Sequence, residues 1–424
     1  MRHWSDTRTA ALLVASLAVL SFAQDRTTEQ GEAQITDPNQ ECAPYFYAPS
    51  SNAINSFPPI WTVATLLASD TAGQAKWNSI SASIPTDIQP KGQPNGSTIG
   101  VTYDTVNDPD CWWTIRQCTT PKRSGIPSDI ASIPEPKTMG YAFDDGPNCS
   151  HNAFYDFLAS QNQKATMFYI GSNVMDWPLE AQRAVADGHE IGAHTWSHRY
   201  MTALSSQDAF AELWYTMQAI KLVTGVTPTS WRPPFGDVDD RIRAIAAGLG
   251  LETIIWKYDS NDWRNGVNGI TPADVDADYG YFISNSTSGT FNTVGGIMLT
   301  HELNNYTMSE AIKFYPQLQS AFSHIVPIGV ALNKTQPYVE TNYSLPSFSQ
   351  YVGGTTATNG SSSSGGSSSS GSGTSTASSS TASSSSGGSG SSGSSKSNGA
   401  AIAVAGVTPV LVAGAALLIA SLAL

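Results

Sequence analysis

The sequence predicts an α/β protein, a distorted and incomplete (β/α)7 barrel preceded by an N-terminal extension. From about residue 138, seven short apolar runs alternate with six longer amphipathic stretches. Short apolar runs between turn residues are typical of buried strands, and periodic stretches are typical of helices. This alternation favours a parallel sheet covered by helices. The usual barrel has about eight strands, so seven indicate an incomplete barrel, with an open doubly wound sheet as the alternative.

Each element is bounded by its own signals. The longest predicted helix, residues 207–224, follows the capping residues Ser205 and Ser206 and stops at Gly225. The predicted strands cover residues 139–143, 165–170, 190–193, 230–232, 253–257, 296–299 and 325–331. The predicted helices cover residues 152–160, 179–186, 207–224, 240–247, 272–283 and 309–322.

The charge balance excludes one class of partner. Lys and Arg number 21 against 34 Asp and Glu, which gives a formal net charge of −13 and a pI near 4.8. Proteins bind nucleic acids through basic patches that neutralise phosphates. We therefore expect no nucleic-acid partner.

The N-terminal residues 1–23 have the form of a secretory signal peptide. Arg2 and Arg8 precede an apolar run over residues 10–22, and small residues follow at the expected cleavage site. The run is short for a bilayer span, which disfavours a membrane anchor as the alternative. The mature protein would then begin with an N-terminal extension over residues 24–137.

The chain after the N-terminal extension divides by composition. The α/β domain is expected over residues 138–335, followed by a last globular segment over residues 336–352. Residues 353–399 are almost wholly Ser, Gly, Thr and Ala, which cannot bury apolar surface and predict a solvated linker. Residues 400–424 are apolar and follow small residues, which predicts a glycosylphosphatidylinositol (GPI) attachment signal with lipid on Asn398. A true membrane span is the alternative.

Cysteines and glycosylation sequons are consistent with export. An even number of cysteines predicts two disulfides with three possible pairings among Cys42, Cys111, Cys118 and Cys149. N-glycans are expected at six sequons, Asn95, Asn285, Asn305, Asn333, Asn342 and Asn359. A seventh sequon, at Asn148, lies beside the predicted active-site loop and is not expected to be used.

Polar residues follow five of the predicted strands. In parallel α/β folds the active site lies at the carboxyl ends of the strands. We therefore expect these side chains to meet at one rim. They are Asp144 and Asp145, His194 and His198, Arg232, Asp259 and Asp262, and His301.

Three of these residues have the composition of a metal site. On a helical turn, His194 and His198 share one face, so both imidazoles could bind one ion. Two structural histidines are the alternative. Asp145 adds a carboxylate, and two histidines with one carboxylate leave a position open for water, as in hydrolytic zinc sites. His189 lies at the start of its strand and is interpreted as structural.

The neighbouring residues suit proton transfer. Asp144 is the candidate base, with a turn-forming role as the alternative, and Arg232 could pair with it and keep it ionised. His301 is the candidate acid, and Asp262 could hold its ring and raise its pKa.

Three further residues complete the expected pocket. Phe235 follows two prolines, so its backbone is stiff, and its N–H is expected to donate to a developing oxyanion. Trp263 and Leu299 are expected to line the pocket, with a place in the core as the alternative.

Five motifs occur in a fixed order along the chain. They are Ala-Phe-Asp-Asp-Gly-Pro (142–147), His-Thr-Trp-Ser-His (194–198), Arg-Pro-Pro-Phe-Gly (232–236), Asp-Ser-Asn-Asp-Trp (259–263) and Ile-Met-Leu-Thr-His (297–301). Together they resemble the motifs of polysaccharide deacetylases, the carbohydrate esterases that include chitin and peptidoglycan deacetylases and some acetylxylan esterases. One departure is Ala142, where the family usually has Thr or Ser.

The resemblance implies a NodB-type distorted barrel with residues 138–335 as the catalytic domain. It implies Zn²⁺, or Co²⁺ or a similar ion, on Asp145, His194 and His198. It also implies that Asp144 is the base and His301 the acid, and that Arg232 and Asp262 adjust the pKa values of these two residues.

Among family members, an exported and lipid-anchored chain is most similar to the fungal chitin deacetylases of the cell wall. This implies metal-dependent hydrolysis of chitin N-acetyl groups to chitosan and acetate during cell-wall remodelling. Asp144, Phe235, Trp263 and Leu299 would contact the substrate. We expect a monomer in the cell wall and at the outer face of the plasma membrane. The alternatives are an O-acetyl esterase acting on another wall glycan and a catalytically silent sugar-binding wall protein.

Overall fold

The computed structural model describes residues 25–356 and the backbone of residues 359–360. The signal peptide, the lipid-attachment residue Asn398 and almost all of the expected linker and anchor signal lie outside the described residues. The side chain of Asn359 lies outside them as well. No helix in the described part of the chain combines the length and the apolar character needed to cross a membrane.

Strands and helices alternate through the α/β domain, and short helices precede it. The strands are β1 (Thr138–Gly140), β2 (Ala142–Gly146), β3 (Thr166–Tyr169), β4 (Glu190–Ala193), β5 (Ser230–Trp231), β6 (Glu252–Thr253), β7 (Tyr258–Asp259), β8 (Gly296–Leu299), β9 (His324–Val326), β10 (Tyr343–Ser344) and β11 (Asn359–Gly360). The helices are α1 (Glu29–Glu32), α2 (Pro38–Glu41), α3 (Ala48–Ala53), α4 (Thr71–Ile80), α5 (Trp113–Arg116), α6 (Asn152–Ser160), α7 (Gly171–Asp176), α8 (Pro178–Ala186), α9 (Ser206–Thr224), α10 (Asp240–Leu249), α11 (Pro272–Thr287), α12 (Asn305–Ala321), α13 (Ile328–Ala331) and α14 (Phe348–Val352). Short 3-10 turns occur at Ile54–Ser56, Ser81–Ser83, Met201–Ala203, Pro234–Gly236 and Asp262–Arg264.

Two parallel sheets meet at Asp144. One sheet has the order β7-β8-β1-β9, and the other has the order β2-β3-β4-β5-β6. The Asp144 N–H donates to the carbonyl of Thr300 at 3.0 Å, and the Glu302 N–H donates to the carbonyl of Asp144 at 2.8 Å. The paired strands of the described residues do not close into a continuous ring. The predicted α/β class and the incomplete character of the barrel are therefore confirmed.

The strands are buried on both faces, as is usual for a parallel sheet. Successive side chains of a strand point to opposite faces, and β2, β3, β8 and β9 each contribute to two apolar clusters. Phe143 packs in the larger cluster, against the helices, whereas Ala142 packs with Phe168 and Leu299 in the smaller cluster. This alternation determines which strand residues can reach the rim of the barrel.

Most predicted elements are confirmed, but the strand predicted over residues 325–331 is wrong in its second half. The strand β9 ends at Val326, Pro327 follows, and α13 begins directly afterwards. Buried side chains bind the backbone there, because the Ile328 N–H donates to Thr166 Oγ1 and the Gly329 N–H donates to a Glu190 carboxylate oxygen, both at 2.8 Å. These long-range acceptors stabilise a helical turn that the apolar run does not reveal.

The strand predicted over residues 253–257 is also wrong in extent. Of these residues only Thr253 lies in a strand, β6, and the next strand, β7, begins at Tyr258 and belongs to the other sheet. Between them the Ile255 N–H donates to the carbonyl of Ile130, a residue of the N-terminal extension, at 2.9 Å. An extended segment from elsewhere in the chain therefore interrupts the expected strand.

The N-terminal extension is packed onto the α/β domain. The Asn152 N–H at the start of α6 donates to a carboxylate oxygen of Glu41 at 3.1 Å, and the Leu179 N–H of α8 donates to the Tyr45 hydroxyl at 2.9 Å. The two predicted disulfides are confirmed, with one joining Cys42 of the extension to Cys149, which follows β2. The extension therefore helps to fix the loop that follows β2.

The second disulfide, Cys111–Cys118, is local to the extension. Next to it, Trp112 is buried and donates through Nε1 to Asp237 at 2.8 Å, and Trp113 packs on Trp256 with ring centroids 5.0 Å apart. Both tryptophans are therefore packing residues.

We expect loss of the long-range disulfide to destabilise the protein more than loss of the local one. The Cys42–Cys149 bridge spans a sequence separation of 107, against 7 for Cys111–Cys118. Loop-closure entropy assigns about 5 kcal/mol to a loop of the first length and about 2 kcal/mol to the second. Thermal unfolding of Cys42→Ser/Cys149→Ser should give a lower Tm than Cys111→Ser/Cys118→Ser, and the reverse order would contradict this expectation.

Candidate active site

The two consecutive aspartates of β2 both reach the rim because the strand is bulged. Between Asp144 and Gly146 the register with β3 shifts, and Asp145 has a left-handed φ of 72°. In a regular strand adjacent side chains point to opposite faces, whereas a bulge re-aims one of them. Consequently His194 Nε2 lies 3.3 Å from Asp145 Oδ1 and 3.7 Å from Asp144 Oδ2.

The two histidines converge through a loop, so the expected helical turn is wrong. His194 directly follows β4, and the segment to His198 is irregular. Thr195 and His198 have left-handed φ values of 65° and 54°. The Thr195 hydroxyl accepts the His198 N–H at 3.2 Å and stabilises this path. The ring centroids of the two histidines are 5.0 Å apart.

The sequence-predicted metal triad is brought together. One ligand atom from each of Asp145, His194 and His198 lies within 4.8 Å of the other two. His198 Nε2 lies 3.1 Å from Asp145 Oδ1, a buried oxygen without a hydrogen-bond donor among the described residues. Burial alone would raise the Asp145 pKa, but the His198 and His194 rings lower it well below its usual value.

The orientation of His194 fits metal binding. Its Nδ1 lies 2.7 Å from the carbonyl of Arg232, a contact in which the ring N–H donates. In the neutral ring that hydrogen bond places the lone pair on Nε2, which is directed at Asp145, and this is the arrangement of a metal-ligating histidine. The donor set and the unpaired carboxylate oxygen therefore suit a divalent ion.

Asp144 is paired with Arg232 in the interior. Arg232 Nη1 donates to Asp144 Oδ1 at 2.7 Å, and both side chains are buried. The guanidinium carbon lies 4.4 Å from the ring centroid of Phe168, so the cation rests on an aromatic face. Burial lowers the pKa of Arg232, and the Asp144 charge partly restores it. The other carboxylate oxygen of Asp144 faces the metal triad.

His301 is paired with Asp262. Nδ1 of the His301 ring lies 2.5 Å from Asp262 Oδ1, and the His301 backbone N–H donates to Asp262 Oδ2 at 3.0 Å. Burial opposes protonation, but the Asp262 charge outweighs it and raises the pKa of His301 to about 10. A parallel bridge between His301 and Asp144 places this pair beside the first one.

The three other predicted pocket residues differ in exposure. Phe235 has a left-handed φ of 58°, is 39% exposed, and lies with its ring centroid 4.7 Å from that of His198. Trp263 is also 39% exposed and follows Asp262 directly. Leu299 is only 5% exposed and packs in the smaller apolar cluster.

Comparison with known proteins agrees with this geometry. Residues 131–254 match the polysaccharide deacetylase family. Over 340 residues the chain is 53% identical to chitin deacetylase 2 of Cryptococcus neoformans, which covers 79% of this chain and 74% of that protein.

The chain belongs to the polysaccharide deacetylase family.

Other similar proteins carry related names. The chain is 47% identical over 311 residues to the chitin deacetylase of Amylomyces rouxii, with 72% of this chain and 73% of that protein covered. Among solved structures, that of the chitin deacetylase from Colletotrichum lindemuthianum is 25% identical, covers 50% of this chain and 96% of its own, and has a TM-score of 0.45. Polysaccharide deacetylases are metal-dependent, and this deacetylase has a compact Asp–His–His triad that can hold the ion.

Sequence reasoning missed the residues that hold the metal-binding segments in place. Asn173 Nδ2 donates to the carbonyl of Asp145 at 2.7 Å. The buried carboxylate of Glu212 accepts hydrogen bonds from the Ser197 N–H and the Ala64 N–H, both at 2.8 Å. Glu212 therefore joins the loop over residues 194–198, the histidine loop, to the N-terminal extension. The position of Asn173 just after a predicted strand was an available signal, and so was an acidic residue within the apolar stretch of α9.

We expect His198→Ala to lose bound metal, because it removes one of three ligands. The variant's metal content after dialysis, measured by elemental analysis, should be far below that of the wild type. His324→Ala is the control, since His324 lies in β9 and packs on Phe348. Normal metal content in His198→Ala would remove this residue from the ligand set.

Proposed function

We propose that this deacetylase hydrolyses the N-acetyl groups of chitin, giving chitosan and acetate, during cell-wall remodelling. One observation carries the proposal: a buried Asp144–Arg232 pair and a His301–Asp262 pair flank the metal-ligand triad. The relatives from Cryptococcus neoformans and Amylomyces rouxii, both chitin deacetylases by name, support chitin as the substrate.

The ion we propose is Zn²⁺, held by Asp145, His194 and His198, with Co²⁺ or another divalent ion as a substitute. Two imidazoles and one carboxylate are a ligand set that zinc hydrolases use. When bound, the ion lowers the pKa of a water molecule and polarises the acetyl carbonyl.

Asp144 is the proposed base. One of its oxygens is bound by Arg232 and the other faces His194, so it can accept the proton of the attacking water. Because the pair with Arg232 is buried, the carboxylate is oriented before the substrate enters. Asp144 is also proposed to contact the substrate.

His301 is the proposed acid. Since Asp262 holds the ring and raises its pKa to about 10, His301 carries a proton at neutral pH. It can donate this proton to the glucosamine nitrogen as the C–N bond breaks. The Phe235 N–H is proposed to donate to the oxygen that gains negative charge, and Trp263 and Leu299 are proposed to contact the sugar.

We also propose that residues 138–335 are the catalytic domain of an exported monomer, attached by a GPI anchor at Asn398. Four described acceptor sites for N-glycans are exposed, which supports their use: Asn95, Asn305, Asn333 and Asn342. Asn285 is half-buried and donates through Nδ2 to the carbonyl of Tyr281. Asn148 Nδ2 donates to the carbonyl of Leu303 at 2.7 Å, which is consistent with an unglycosylated side chain.

The experiment that tests the substrate is acetate release from chitin hexamer by the purified ectodomain. We expect release that a chelator abolishes and zinc restores. An enzyme that binds metal but releases no acetate from chitin oligomers, while releasing it from O-acetylated xylan, would contradict the proposal.

We expect Asp144→Asn to keep its metal but to lose nearly all turnover, because the amide has the carboxylate's shape without its basicity. General-base catalysis is worth roughly 100-fold or more. Retention of more than about a tenth of the wild-type kcat would remove Asp144 from this role. Metal content measured in parallel distinguishes loss of the base from loss of the ion.

We expect Asp262→Asn to move the alkaline limb of the kcat/KM profile to lower pH. Without the Asp262 charge, burial dominates and the pKa of His301 falls, so the acid loses its proton earlier as pH rises. The control is Asp276→Asn, which alters an exposed pair with Lys313. An alkaline limb at the wild-type position would show that Asp262 does not tune the acid.

A further inference from the structure

A segment of the N-terminal extension lies against the loop that carries the histidine ligands. Phe57 stacks on Trp196 with ring centroids 5.6 Å apart, and Trp196 Nε1 donates to the carbonyl of Pro59 at 3.1 Å. Arg199, which follows the second histidine ligand, donates through Nη2 to the carbonyl of Trp61 at 2.9 Å. The extension therefore contacts the loop that carries the two histidines, and Trp61 takes part in this contact.

Trp61 is fixed in orientation although it is exposed. Its backbone N–H donates to Ser172 Oγ at 2.9 Å, and its ring Nε1 donates to Asp176 Oδ2 at 3.0 Å. Its backbone has a left-handed φ of 60°, which is strained for a bulky residue and persists only where the surroundings enforce it. The side chain is nevertheless 40% exposed. An apolar ring is thus held rigidly at the surface.

The same helix connects Trp61 to a metal ligand. Ser172 and Asp176 lie on α7, and so does Asn173, which donates to the carbonyl of Asp145. Asn173 and Asp176 are three residues apart, which is about 4.5 Å along a helix axis. Trp61 is therefore bound to the helix that also holds the backbone of a proposed metal ligand.

A ring in this position suits a sugar. The face of a pyranose ring consists largely of C–H groups, and an aromatic ring of fixed orientation can contact it at little cost in side-chain entropy. We propose that Trp61 is a sugar-stacking subsite, contributed by the N-terminal extension, that binds an N-acetylglucosamine unit next to but distinct from the reacting unit. This inference rests on the proposed function and adds to it a preference for longer chitin chains.

The kinetic test compares substrates of different length. For Trp61→Ala we expect the KM for chitin hexamer to rise about tenfold, with the kcat for the hexamer and both constants for chitin dimer unchanged. Trp61→Phe, which keeps an aromatic face, should recover most of the loss. The control is Phe46→Ala, an exposed aromatic side chain elsewhere in the extension, 72% exposed, which should leave every KM unchanged.

A binding test separates stacking from support of the metal loop. In the Asp144→Asn background, calorimetry should show about tenfold weaker hexamer binding when Trp61→Ala is added, with unchanged metal content and Tm. Lower metal content, or an equal loss for dimer and hexamer, would assign Trp61 a purely structural role and overturn the inference. So would an unchanged KM for the hexamer.

The inference and the proposed function fail in different ways. If the metal-bound wild type acts on no chitin oligomer, the proposed function is overturned and this inference with it. If the wild type deacetylates the hexamer and Trp61→Ala does so with the same KM, only this inference is overturned.

Discussion

The active site depends on a bulge at Asp145. A regular strand would direct Asp144 and Asp145 to opposite faces, so one of them would be lost to the helix layer. The shifted register and the left-handed backbone of Asp145 turn its carboxylate toward His194 and His198, while Asp144 remains beside Arg232. Asp144 also joins the two sheets through its own backbone hydrogen bonds. The junction between the two sheets therefore lies at the active site.

Charge compensation makes this concentration of acidic groups possible. Buried carboxylates are unfavourable unless each has a partner. Asp144 has Arg232, the Asp145 carboxylate faces two imidazoles, and Asp262 has His301. The partners come from different strand ends, so folding itself assembles the pairs. Such groups need little reorganisation during a reaction, which is what electrostatic preorganisation requires.

The N-terminal extension stabilises the loops that carry the active-site residues. The buried Glu212 carboxylate of α9 accepts hydrogen bonds from both the extension and the histidine loop, and so links them. The Cys42–Cys149 disulfide joins the extension to the loop after β2. Both left-handed residues of the histidine loop adopt a conformation that local sequence does not favour, so contacts from outside the loop must stabilise it. This dependence explains how an extension lying outside the five motifs can influence a site formed by them.

The sequence by itself determined the α/β class, most helices and strands, and the residues that gather at the rim. These features are local: apolar periodicity defines an element, and polar residues at strand ends must meet once the strands are parallel. Only the tertiary structure decided the disulfide pairing, the turn at α13, the non-helical path from His194 to His198 and the position of Trp61. Each of these depends on acceptors or packing partners far away in the chain, such as Glu190 for α13 and Asp176 for Trp61. Sequence periodicity contains no information on such distant contacts, because they exist only after the chain has folded.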